Sequence, residues 1–223
     1  MPGNKRLILI GLMIAAMGCG CASGRPLSLT GSLLSPGRTI SSDNVLPRVA
    51  VVDFEYAGGE DAVLGRDFDN VRPIMWKGTP GAAVADLVSA SLFERGVPVV
   101  RVSMAGHVPA GVLVTVRGRI DDFRVSAKRI HSVKVESFAS IGLTVSAEGE
   151  GVPGGWNSGV ISSDVWTSEP FFVTPDGVRE SVASAANGVA EEAALRLMTL
   201  RSAFAPASGT PAVPGAGGAD GPK

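Results

Sequence analysis

The stretch Val112-Leu113-Val114-Thr115-Val116-Arg117-Gly118-Arg119-Ile120-Asp121 decides the fold. Val114, Val116, Gly118 and Ile120 fall on one side of an extended chain, and Thr115, Arg117, Arg119 and Asp121 on the other. A period of two, apolar on one side and polar on the other, marks a strand with one face on a core and one in water, as in antiparallel sheets. The pattern covers residues 112–125. It resumes at Val133, Val135, Ser137, Ala139, Ile141, Leu143 and Val145, which predicts a second strand over 134–146. Gly151 to Gly155, with Pro153, reads as the turn into a third strand over 160–168. The expectation is a meander of three long strands.

Upstream, Arg48-Val49-Ala50-Val51-Val52-Asp53-Phe54 is short, apolar and β-branched, which suits a buried strand. Residues 55–78 read as a long loop holding Gly58-Gly59, the acids Glu60, Asp61, Asp67 and Asp69, and the segment Val71-Arg72-Pro73-Ile74-Met75-Trp76. Thr79 as N-cap and Pro80 as first helical residue open a helix that stops at Gly96, with Val84, Leu87, Val88 and Leu92 on its buried face. Val97 to Val102 follows as a strand. From Pro175 the period is helical again: Val178, Val182, Ala185, Val189, Ala193, Leu197 and Leu200 form a stripe, with Thr174 or Asp176 as the cap. Alanines at 183, 185, 186, 190, 193 and 194 keep that helix slim enough to lie close to a sheet. The order β-α-β-β-β-β-α predicts an α+β fold, a mostly antiparallel sheet with both helices packed on one face.

The amino terminus carries an address. Lys5 and Arg6 precede an apolar run from Leu7 to Met17, too short for the roughly 20 residues of a membrane span and followed by small residues. Ala16-Met17-Gly18-Cys19 resembles a bacterial lipobox, which makes residues 1–18 a lipoprotein signal peptide and Cys19 the acylated first residue of the mature chain. Cleavage before Cys21 would leave Cys19 and Gly20 at the end of the signal, a poor small-residue site. With no cysteine after position 21, the folded part has no disulfide, thiolate metal site or cysteine nucleophile.

Residues 19–46 are rich in Ser, Gly and Pro and read as a lipidated flexible linker, 47–203 as a single domain, and 204–223 as a Pro/Gly/Ala tail too apolar-poor to offset its ordering entropy. The 223 residues carry 20 basic and 21 acidic side chains; removing Lys5 and Arg6 with the leader leaves 18 against 21, a net charge of −3. The cations are scattered among acids, which argues against a nucleic-acid partner.

The chemical inventory is thin. His107 and His131 are the only histidines, and they stand in different segments. There is no Gly-x-Ser-x-Gly elbow, Walker A lysine, dinucleotide glycine fingerprint or helical pair of histidines, so no enzyme, cofactor or metal is expected. Asp121-Asp122, in an alternating strand, should aim its carboxylates at opposite faces. Glu148 and Glu150 share a face beside a turn and read as solvated charges, there being no third ligand nearby. Among three tryptophans in an aromatic-poor chain, Trp76 is expected to staple the start of the first helix. Trp156 stands at the predicted turn, where core or edge packing and contact with a partner or membrane are both open readings.

With the lipobox, the Val49-Ala50-Val51-Val52-Asp53-Phe54 strand, Arg72-Pro73-Ile74, the helix ending Leu92-Phe93-Glu94-Arg95-Gly96 and the strand from Val112, the chain resembles the YajG-like lipoproteins. Those are grouped with auxiliary components of ABC-type transport. Its opening is also similar to the periplasmic domain of curli-channel-type secretion lipoproteins and of some penicillin-binding-protein activators. The resemblance implies a non-enzymatic, lipid-anchored scaffold in the outer membrane facing the periplasm. Its partner would be a protein of the envelope, a transporter or copies of itself. The alternatives it implies are a subunit of an oligomeric secretion channel or an activator of an envelope synthase. Gly20, which follows Cys19, is not the aspartate that resembles an inner-membrane retention signal, so outer-membrane placement is favoured.

Overall fold

The structure is a computed structural model that describes residues 26–29, 48–67, 72–131, 133–170 and 174–204. Its elements are β1 (Leu27–Leu29), β2 (Val49–Val52), β3 (Glu55–Tyr56), β4 (Val63–Arg66), β5 (Pro73–Trp76), α1 (Pro80–Glu94), β6 (Val99–Val102), β7 (Val114–His131), β8 (Lys134–Gly149), β9 (Val152–Pro170), α2 (Pro175–Leu197), a 3-10 turn (Met198–Leu200) and α3 (Arg201–Phe204). The fold is α+β, as the periodicity implies. β7, β8 and β9 form the expected antiparallel meander, with strands of 18, 16 and 19 residues.

The described strands make one sheet organised by β7. One edge of β7 pairs with β8 along its whole length, from Val114↔Gly149 to His131↔Lys134. The other edge is occupied in succession by three short parallel strands: β2 at Val49↔Val114, β3 at Glu55↔Arg119 and β4 at Gly65↔Val125. β6 extends β2 in parallel, while β5 joins β4 antiparallel and β1 joins β5 in parallel. The sheet is therefore a broad antiparallel meander on one side of β7 and a forked set of short strands on the other.

Both helices cover one face. α2 lies across β8 and β9 and packs against α1, which sits over β2 and β6. Val178, Val182, Ala185, Ala186, Val189, Ala190, Ala193, Ala194 and Leu197 are all buried against Val145, Leu143, Ile141 and Ala139 of the sheet. Thr174 caps α2, its hydroxyl accepting a bond from the Gly177 amide at 3.0 Å. Thr79 occupies the N-cap of α1 in extended backbone, but its side chain makes no cap bond. α1 ends as its sequence predicts: Gly96 has φ of +79°, its amide bonds Phe93 O, and the Val97 amide bonds Leu92 O.

Four expectations are corrected. The loop expected over 55–78 holds β3, β4 and β5, each of two to four residues. Such short runs show no period: β3 and β4 form on β7, and β5 forms between β4 and β1. Within the stretch expected to be linker, Leu27 and Leu29 are buried and β1 pairs with β5 at Leu27↔Ile74. The reversal expected over Gly151 to Gly155 occurs at Glu150-Gly151, and β9 begins at Val152. Phe204, placed in the tail, is buried against the core. Residues 205–223 and the signal peptide lie outside the described residues.

Arg101 of β6, unremarked in the sequence, ties the forked side together. It donates to Asp86 at 2.7 Å, to Asp53 at 2.6 Å and to the Val51 carbonyl, linking α1, β2 and β6.

Close backbone approach fixes where α1 can sit. A Cβ on Gly81 would lie 1.8 Å from the Phe54 carbonyl oxygen, an atom that cannot move without shifting β2. Gly81→Ala is expected to cost about 3 kcal/mol or more by urea denaturation. Thr174→Ala, which loses one cap bond, is expected to cost about 1 kcal/mol.

Candidate interaction face

The face of the meander away from the helices carries the candidate site. It presents Thr115, Arg117, Arg119, Arg124, Ser126 and Lys128 from β7, and Glu136, Phe138 and Thr144 from β8. Val160, Asp164 and Trp166 complete it from β9. Most of these charges neutralise one another locally. Arg119 bridges Asp121 at 2.6 Å, Arg124 bridges Asp122 at 2.7 Å, and Lys134 bridges Glu136 at 3.1 Å. Exposed pairs of this kind contribute little to stability, so they keep the face wet and soluble.

One feature of the face is apolar. Trp166 is 61% exposed and stacks on Phe138 with ring centroids 4.8 Å apart, tilted by 37°. The pair floors a shallow cleft of about 250 Å³ with Ser126, Lys128 and Glu136 at its rim. Beside it runs β9, which among the described residues pairs with β8 alone and so presents an open strand edge. A flat aromatic surface beside unpaired backbone groups can receive an added strand and hold one of its side chains.

Sequence reasoning missed this pair because of register. A regular hairpin extended from Gly149↔Val152 would put Ser163 opposite Phe138 on the open face and turn Trp166 to the helix-covered face. Irregularities at Ala147/Gly149 and Thr144/Ser146 shift the pairing by an odd number of residues and bring Trp166 across from Phe138 on the open face. Gly154, Gly155 and Gly159, all at positive φ, are the signal that was available. The same effect corrects the reading of Asp121-Asp122. A register shift between Ile120 and Asp122 breaks the alternation, so both carboxylates point to the open face: Asp121 is bonded by Arg119 and Thr144, and Asp122 by Arg124.

The remaining candidates are dispersed. Trp156, half-buried in β9 opposite Ala147, packs against the core. Trp76 is buried in β5, 6.0 Å from the Phe123 ring, and holds the sheet rather than the start of α1. His107 and His131 are both exposed and separate, and Glu148 and Glu150 lie at the exposed β8–β9 turn. No group of three potential metal ligands occurs among the described residues. Cys19 lies outside them.

A second cleft, of about 500 Å³, opens between Tyr56, Met104, Arg119 and Asp121. Burial raises the Tyr56 phenol above its ordinary value, with the Asp122 charge adding to it. The Thr144 hydroxyl, followed by Arg119, holds the Asp121 carboxyl below the usual aspartate range. These shifts create no acid and base pair poised near neutrality.

Neither a family model nor a curated protein matches the chain. Solved structures with a similar course include a Xanthomonas campestris protein of family DUF330, at 12% identity and a TM-score of 0.44, covering 80% of this chain and 95% of that one. A PelC dodecamer from Paraburkholderia phytofirmans follows at 16% identity and 0.31, covering 68% and 91%. A neuraminyllactose-binding hemagglutinin homolog from Helicobacter pylori stands at 10% identity and 0.36, covering 71% and 93%. At these scores the likenesses carry no functional inference. No described helix is long and apolar enough to cross a membrane.

Thr144→Val is expected to move the Asp121 titration up toward the ordinary carboxylate value, read by carboxyl NMR. An aspartate held below its unfolded value stabilises the fold above that value and loses the contribution as pH falls through the folded one. The stability gap between wild type and Thr144→Val should therefore be present at neutral pH and close below about pH 4.

Proposed function

We propose that the chain is a lipid-anchored binding or scaffold protein of the bacterial cell envelope. In this reading acylated Cys19 holds it to the outer membrane on the periplasmic side, and a protein partner docks on the open face of the meander. An auxiliary role in an envelope transport system, lipid or ABC-type, is the form that the YajG-like resemblance favours. The observation that carries the binding role is the exposed Trp166–Phe138 stack beside the open edge of β9. A monomeric surface with no partner has no evident use for a tryptophan exposed at the edge of its sheet.

The alternative of a secretion-channel subunit draws on strand length, since β7, β8 and β9 all exceed the 9 to 11 residues of a transmembrane strand. Against it, the open face carries Arg117, Arg119, Arg124 and Lys128, and cations on a lipid-facing strand cost about 2 to 4 kcal/mol each at mid-bilayer. A synthase activator would use the same face as the transport adaptor and differ only in its partner.

Crosslinking of the native lipoprotein in its own membranes, followed by mass spectrometry, tests the reading. Capture of transporter or lipid-transport components supports the adaptor, and a ladder of self-crosslinks alone overturns it in favour of an oligomer. Trp166→Ala is expected to reduce partner capture at least tenfold while leaving thermal unfolding within about 2 °C of wild type, because the side chain is mostly solvated. Cys19→Ser is expected to remove the protein from the lipoprotein-processing products seen by acyl labelling.

A further inference from the structure

We infer that the tip of the β7–β8 hairpin is a second membrane contact, docking on anionic lipid headgroups of the same leaflet that the amino-terminal acyl chains enter. It rests on the lipid-anchor reading above.

The tip has the composition of an interfacial contact. Ile130 and Val133 are large aliphatic side chains exposed by 39% and 53%. They lie among the exposed cations Lys128, Arg129 and Lys134; the acids at this end are Glu136, bridged to Lys134, and Glu169 of β9, level with Val135. Aliphatic side chains that enter the headgroup layer between flanking cations gain both from burial and from the negative surface potential. Both aliphatic side chains are left open to solvent at the end of the hairpin.

The geometry of the tether independently brings this end of the sheet to the bilayer. Leu27 of β1 is level with Ile74, Ile74 with Gly65, and Gly65 with Val125 of β7. β1 is parallel to β5, β5 antiparallel to β4, and β4 parallel to β7, so β1 runs antiparallel to β7. The amino-terminal end of β1 therefore points toward the His131 end of β7, the hairpin tip. Cys19 lies seven residues before Pro26, a reach of at most about 25 Å. The tip stands six residues beyond Val125, or about 20 Å. The anchor thus leaves the sheet at the level of Val125, on the side facing the tip, with a reach that matches the height of the tip. A tether of 27 residues ending at residue 46 would impose no such orientation; docking of β1 shortens it and imposes one.

The test uses the full lipoprotein with Cys21→Ser and a single label site, Val133→Cys carrying an environment-sensitive fluorophore, reconstituted in vesicles. Val160→Cys, on the same sheet but far from the tip, is the reference. In vesicles of POPE with POPG, brominated lipids are expected to quench the label at 133 at least threefold more than the label at 160. The excess is expected to vanish in pure POPC vesicles and in the Lys128→Glu/Lys134→Glu variant. Protein that floats with the vesicles but shows equal quenching at 133 and 160 overturns the docking while leaving the anchor in place. Crosslinking between two 133 sites without lipid quenching assigns the tip to a second copy and also overturns it. Failure to float overturns the anchor reading, and the docking with it.

Discussion

The structure depends on satisfying both edges of one strand. β7 offers backbone donors and acceptors along 18 residues, and where the strand is buried those groups must find partners on both sides. β8 meets one edge from end to end, because a hairpin brings two strands of like length side by side by direct reversal, with register shifts at Ile120/Asp122 and Arg129/His131. The other edge is met piecewise by β2, β3 and β4, which run along it in chain order. That solution explains the fork in the sheet. Each short strand ends where the chain must step away, and the neighbours of β2 and β4 then diverge into β6 at one end and β5 with β1 at the other.

The helices follow from what the meander leaves open. One face of β7, β8 and β9 is apolar, and α2 covers it with valine and alanine, letting the helix approach closely along its length. α1 completes the same layer over β2 and β6, seated by contact of Gly81 with the Phe54 carbonyl and by the Arg101 bridges to Asp53 and Asp86. Since both helices lie on one side, the other face of the meander has no cover within the described chain. Its balanced ion pairs suit it to water, and its aromatic stack suits it to contact.

The two proposed contacts lie on different parts of that asymmetry. The Trp166–Phe138 stack belongs to the open face and to the β9 edge, where a partner strand would gain backbone bonds as well as an aromatic floor. The hairpin tip lies at the end of the sheet toward which the amino-terminal end of β1 points, and its cations flank aliphatic side chains. Under the two proposals the strands would stand along the membrane normal and the open face would look sideways, within reach of partners that stand on the same surface.

Much of this was legible in the chain. Alternation in 114–120 and 134–146 determined two strands and their buried faces, because a period of two admits one assignment of sides while the backbone stays regular. Proline and glycine set the limits of α1, and the Val/Ala stripe with Thr174 gave α2, because caps and periods are local properties. The lipobox-like Cys19 is likewise a linear signal. What the tertiary structure alone decided is whatever depends on a distant partner or an odd-numbered slip. β1, β3, β4 and β5 are too short to show a period and exist because β7 and one another supply their bonds. The shifts near Asp121 and along β8–β9 turn both carboxylates, and Trp166 with Phe138, to the open face, since inserting one residue inverts every side chain beyond it.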